Sequence, residues 1–141
     1  FCTVAQTGSF LDMHHRSGNV HDSNGACEFI EACLRRVKEV APRARIEARL
    51  DAAFFGQQIV RTLIENGASF TISVPFERLP GLKSEVEARR RYRRIDERWS
   101  FFETSYTPAS WNASLGRLRF VVVRQRVNKQ RKEALQLDLF E

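Results

Sequence analysis

The chain has 141 residues, 43% hydrophobic and 28% charged, with a formal net charge of +6. That length holds one ordinary core, about one domain, and no run of about 18 apolar residues exists to form a transmembrane helix. The opening stretch, "FCTVAQTGSF", lacks the basic n-region of a signal peptide and has no initiator methionine; it starts directly on strand-like sequence, which suggests a fragment of a longer chain.

"FCTVAQ" and "SFLDMHHR" read as two strands around a Thr7-Gly8 turn, followed by the turn-rich loop "RSGNVHDSNG" (16–25). From Ser23, an expected N-cap, apolar residues at Ala26, Phe29, Ile30, Cys33, Leu34, Val37 and Val40 predict an amphipathic helix that Pro42 stops. "ARIEARL" (44–50) alternates Ile46, Ala48 and Leu50 with Arg45, Glu47 and Arg49, so a strand is expected, ending on Asp51. A second helix carries Ile59, Val60, Leu63 and Ile64 and closes at Gly67, and "SFTISVPF" is a further strand ended by Pro75. Strands and helices in this order predict a mixed α/β sheet with helices packed on it.

After Phe76 the texture changes. "GLKSEVEARRRYRRIDERW" begins as a charged helix, and "WSFFETSYTPASW" and "RLRFVVVRQRV" read as strands. "LQLDLFE" alternates Leu135, Leu137 and Leu139. Residues 1–51 hold 7 basic and 7 acidic residues, so the whole +6 lies after Asp51. "RLRFVVVRQRVNKQRK" (117–132) has seven basic residues and no acid. A single-sign stretch attracts polyanions and releases their counterions on binding. The plainer reading is a solvated strand face with a basic turn.

Three cysteines, Cys2, Cys27 and Cys33, form neither a zinc CxxC pair nor a disulfide framework. Free thiols on an apolar helical stripe point to a reducing compartment, hence a cytoplasmic protein. His14, His15 and His21 are metal-ligand types close together, but adjacent strand residues point to opposite faces, which argues against a shared zinc ion. Asp51 on its own is open to two readings. It caps the next turn, or it holds a metal ion.

"HHRSGNVHDSNG", then a helix, then "EARLDAAFFGQQIVRTLIENGASFTISVPFERLPGLK", and finally "RQRVNKQRKEALQLDLFE", resemble in order the DDE transposases of bacterial insertion sequences, the cut-and-paste group with an RNase H-like fold and a strand-rich insertion. The resemblance implies a partial RNase H-like core over residues 1–76 and a basic, strand-rich insertion over 77–141. It implies metal-dependent DNA cleavage and strand transfer, with Asp51 as the second catalytic carboxylate and a ligand of Mg²⁺ or Mn²⁺, two ions in the intact enzyme. On this resemblance the first aspartate lies on a strand upstream of Phe1 and the glutamate beyond Glu141, so residues 1–141 alone are expected to be inactive.

Transposon-end and target DNA are the expected partners, with self-association and no membrane. Contacts to DNA are expected from Arg16 and Asn19 in the first loop, and from "RRRYRR" (89–94) through Arg89, Arg90, Arg91, Arg93 and Arg94, whose guanidinium forks suit phosphate. Tyr92 is read there as a residue that stacks on a base, and Trp99, Phe101, Phe102 and Trp111 as the insertion's own core. Arg124, Arg126, Lys129, Arg131 and Lys132 extend the basic surface. "QLDLF" is similar to the short peptide by which bacterial proteins dock on the replication sliding clamp, with Gln136, Leu137, Leu139 and Phe140 as the contact residues; a plain alternating strand is the other reading. The rival from another class is a non-catalytic nucleic-acid-binding or remnant protein that keeps only its basic face. The blandest is a soluble α/β domain whose basic stretches face water.

Overall fold

Alternating and helical spacings both find their partners in the computed structural model, which describes residues 1–15 and 25–127. The chain divides into two units, Phe1–Arg78 and from Leu79 onward.

In the first unit, strands β1 (Cys2–Val4) and β2 (Ser9–Asp12) form an antiparallel hairpin. Gly8, at φ 68°, donates its N–H to the Val4 carbonyl at 2.8 Å and turns the chain. Helix α1 (Ala26–Val40) follows, burying Ala26, Cys33 and Leu34. Its N-cap is Gly25, with no side-chain cap, while Glu28 in the first turn and Lys38 in the last complement the helix dipole. Asp12 of the hairpin pairs with Arg36 of α1 at 2.8 Å.

Strand β3 (Glu47–Leu50), helix α2 (Gln57–Glu65) and strand β4 (Ser69–Ile72) make a β–α–β unit in which β3 and β4 pair in parallel. The end of α2 shows why so short a helix holds. Gly67 at φ 68° donates to Ile64, and Ala68 donates to Leu63, a Schellman closure that leads straight into β4. Lys38 reaches across from α1 and donates its ammonium to the Asn66 carbonyl at 2.6 Å. Ala26, Leu34, Ile59, Leu63 and Ala68 form the core, with Ile46, Ala48, Leu50, Phe54, Phe70 and Ile72 packed against it. One face of the parallel pair is thus apolar. Its other face carries Glu47, Arg49, Ser69 and Thr71, all exposed.

The α/β class therefore holds, but the single mixed sheet expected from the sequence does not appear among the described residues. The hairpin β1–β2 and the parallel pair β3–β4 are separate two-stranded ladders. Alternation specifies which side chains face a core; it carries no information about which strands bond to each other.

In the second unit, helix α3 (Pro80–Ala88) starts on Pro80, whose missing N–H costs nothing at that position. An antiparallel sheet follows, ordered β5 (Arg93–Arg94), β6 (Trp99–Tyr106), β7 (Leu118–Gln125). Leu82 of α3 and Phe102 and Phe120 of the sheet are buried. Gly81 lets the helix approach the sheet: a Cβ there would lie 2.8 Å from the Tyr106 hydroxyl. The opposite sheet face exposes Val121 and Val123. Among the described residues no helix is long and apolar enough to cross a membrane.

Candidate functional site

β3 pairs Glu47 with Ser69, Ala48 with Phe70, Arg49 with Thr71 and Leu50 with Ile72. Beyond Leu50 the chain leaves the ladder at Asp51, which is extended (φ −81°, ψ 179°) and exposed. Its Oδ1 accepts the Ala53 N–H at 2.9 Å and caps a 3₁₀ turn, Ala52–Phe54. Capping and ligation, the two readings of this residue, are compatible. The cap engages one carboxylate oxygen, Oδ1, and Oδ2 takes no part in it. Phe54 packs against the core while Ala52 and Ala53 keep the space beside the carboxylate small-sided.

Arg49, two residues before Asp51 on the same face, donates through Nε to Glu47 at 3.2 Å. A single carboxylate with an open oxygen fits a hard divalent cation, which is commonly held by one or two carboxylates plus water and phosphate. Among the described residues no three His, Cys, Asp or Glu side chains gather into a complete metal site. His14 instead packs on Phe29, with ring centroids 5.9 Å apart, and His15 is exposed. Cys33 is buried near Cys2 and Asp12; burial first, then Cys2, pushes its thiol up to about 12, so it stays protonated and unreactive. All three cysteines are free.

The second unit presents a basic cleft of about 1490 Å³, lined by Tyr92, Arg94, Asp96, Arg98, Trp99, Arg124 and Arg126 among others. It exceeds the roughly 300–1,000 Å³ of a small-molecule pocket. The β5–β6 turn builds one wall. The Asp96 carboxylate accepts the N–H of Arg98 at 2.7 Å and of Trp99 at 2.8 Å, and these bonds hold its pKa below the usual carboxylate range. The end of β7 builds the other wall, tied to the turn by the Arg126 N–H donating to Arg98 at 2.8 Å.

The structure separates the expected DNA-contact residues by what already occupies them. Arg94 and Arg124 line the cleft together with Arg126, as does Arg98, which sequence reasoning passed over. Arg89 lies over the Phe102 ring at 4.9 Å and so braces α3 against the sheet. Arg90, Arg91 and Arg93 are exposed outside the cleft.

Tyr92, expected to stack on a base, is already engaged. Arg124 covers its ring at 4.0 Å, Phe102 meets it edge-on at 5.1 Å, and its hydroxyl donates to the Val86 carbonyl. Trp99, expected in the core, is 38% exposed and lines the cleft, whereas Phe102 is buried as expected. The alternation along β6 contained the signal: Trp99 and Phe102 are three residues apart, so they point to opposite faces. Arg119, of the basic run, is held by Glu103 through two hydrogen bonds of 2.9 and 2.8 Å; this pairing lowers the Glu103 pKa. Arg16, Asn19, Lys129, Arg131, Lys132 and the sliding-clamp residues Gln136, Leu137, Leu139 and Phe140 lie outside the described residues.

No curated protein and no solved structure matches the chain. A family model does, over nearly its whole length: residues 2–135 match the transposase DDE domain group 1. Domains of this kind act on DNA and generally use divalent metal ions. The carboxylate at the end of β3 and the basic cleft thus stand in a chain that belongs to the transposase DDE domain group 1 family.

Proposed function

We propose that this chain is part of a transposase that cleaves and joins the ends of an insertion sequence, with Asp51 as the second of three catalytic carboxylates on an RNase H-like core. The observation that carries the reading is the placement of Asp51, in a chain matching a DDE domain, at the carboxyl end of a parallel strand with one oxygen held by Ala53. Ligands of parallel α/β sheets bind at the carboxyl ends of their strands.

On this reading two Mg²⁺ or Mn²⁺ ions, when bound, activate the attacking hydroxyl and neutralise charge at the phosphodiester. The chain's own contribution is to present the Asp51 carboxylate at the strand end with Oδ1 restrained by the Ala53 N–H. The other two carboxylates come from segments flanking residues 1–141, and these residues alone do not cleave. The arginine cleft of the second unit contacts transposon-end DNA through phosphates, Arg94, Arg98, Arg124 and Arg126 supplying the charge. The enzyme acts in the bacterial cytoplasm on paired DNA ends, as a self-associating assembly.

Cleavage of a labelled transposon-end duplex, by the protein with its flanking segments restored, tests the reading. Nicking is expected with Mg²⁺ or Mn²⁺ and none with chelator. Absence of metal-dependent cleavage, with DNA binding intact, would instead favour the non-catalytic DNA-binding reading.

A further inference from the structure

The edge where Asp51 sits contains a second polar group. β3 and β4 run in parallel with residue 47 opposite 69 and residue 50 opposite 72. One step further, the same register sets Ser73 beside Asp51. The last hydrogen bond along the pair reaches Ser73, whose N–H donates to the Leu50 carbonyl at 3.1 Å. Backbones of paired strands are about 4.8 Å apart, so Ser73 follows the Leu50–Ile72 pair on the side where the chain turns off at Asp51. Both are exposed, and both continue the polar face formed by Glu47, Arg49, Ser69 and Thr71.

A carboxylate and a metal ion leave that edge short of a donor held in a fixed position. An ionised carboxylate only accepts hydrogen bonds, and a metal ion also offers no proton to a phosphate oxygen. The residues that follow Asp51 are Ala52 and Ala53, and those that follow Ser73 are Val74 and Pro75; none has a side-chain donor. Arg49, the nearest guanidinium along β3, has its Nε on Glu47 and its side chain 77% exposed, so its remaining N–H groups are not held in place at this edge. Pro75 biases Val74 towards an extended conformation.

We infer that Ser73 is a substrate-contacting residue, its hydroxyl donating to a non-bridging oxygen of the phosphodiester that is cleaved at Asp51. The inference rests on the reading of Asp51 as a metal ligand. It adds a strand-end serine that orients the phosphate from the neighbouring strand.

The test uses the transposase with its flanking segments restored and end DNA carrying a single phosphorothioate diastereomer at the scissile phosphate. Ser73→Ala should slow cleavage by about tenfold, the order expected for one hydrogen bond to a charged group, and Ser73→Thr should restore most of it. With Mn²⁺, which accepts sulfur as a ligand and so removes the metal's own preference, the wild type should still be slowed by one diastereomer, and Ser73→Ala should lose that discrimination. A second readout needs no cleavage. In chelator, a methylphosphonate at the same position should weaken DNA binding by the wild type and leave binding by Ser73→Ala unchanged. Since the β4 backbone bond survives the substitution, the thermal unfolding of Ser73→Ala should match the wild type.

If Ser73→Ala cleaves and discriminates like the wild type while Asp51→Ala is inactive, this inference is wrong and the reading of Asp51 stands. If Asp51→Ala also cleaves normally, both fall.

Discussion

The two units of this chain solve opposite problems. Residues 1–78 hold nine basic and nine acidic residues and cancel, whereas the whole +6 lies from Leu79 onward. The first unit buries Leu63 completely beneath a parallel strand pair and leaves the Asp51 carboxylate exposed at a strand end. In the second, the core is smaller and its arginines are partly used up in holding the sheet together. Arg89 lies on Phe102 and Arg119 on Glu103, whereas Arg124 covers Tyr92 and still lines the cleft. A basic run is therefore not the same as a basic surface. What remains for a polyanion is what geometry leaves over, here the cleft between the β5–β6 turn and the end of β7.

Removal of core volume should strain the comparison most. Leu63→Ala and Leu82→Ala each delete a fully buried side chain and should each cost about 2–5 kcal/mol. If the units unfold independently, hydrogen exchange will show each substitution loosening its own unit and sparing the other. Loss of protection in both units from either change would merge them into one cooperative body. Gly81→Ala puts a methyl group against the Tyr106 hydroxyl and should cost about 1–3 kcal/mol in the second unit alone, read by denaturant midpoint.

Charge sharpens the contrast further. Arg126→Ala should weaken DNA binding uniformly across sequences and flatten the slope of log affinity against log salt by about one. Arg119→Ala, which removes a guanidinium already held by Glu103, should move that slope far less. Equal effects would mean that the ion pair opens to DNA.

The smallest expected effect is acidic. Asp96 titrates below its ordinary range because it accepts the Arg98 and Trp99 N–H groups. Its contribution to the β5–β6 turn is therefore complete above the unfolded carboxylate pKa of about 3.9, and is lost as pH falls through the lower folded value. Acid titration followed by NMR should shift the Arg98 and Trp99 amides together below about pH 4, and Asp96→Asn should abolish that shift.

How much of this was legible beforehand depended on distance along the chain. Helix α2 was readable because its apolar spacing and the Gly67 closure are local. The first helix was readable up to Pro42, though its cap falls on Gly25 and Ser23 lies outside the described residues. The charged helix after Phe76 ends at Ala88, where arginines replace the apolar stripe and no further turn can be anchored. Asp51 stood out as a candidate ligand only by resemblance, since its position after a strand favoured capping, which the structure shows. Ser73 was hidden: its neighbour is 22 residues away, and only the parallel register brings the two together. Occupancy of the arginines was hidden for the same reason, as Arg124 and Tyr92 meet only once β5, β6 and β7 have paired.

On the proposed function, Asp51 carries the chemistry while the arginine cleft holds DNA. Asp51→Ala in the transposase with its flanking segments restored separates the two most directly, with cleavage and binding measured on the same end DNA. Cleavage should fall by several orders of magnitude while affinity and its salt slope stay those of the wild type. Undiminished metal-dependent cleavage by Asp51→Ala would contradict the account.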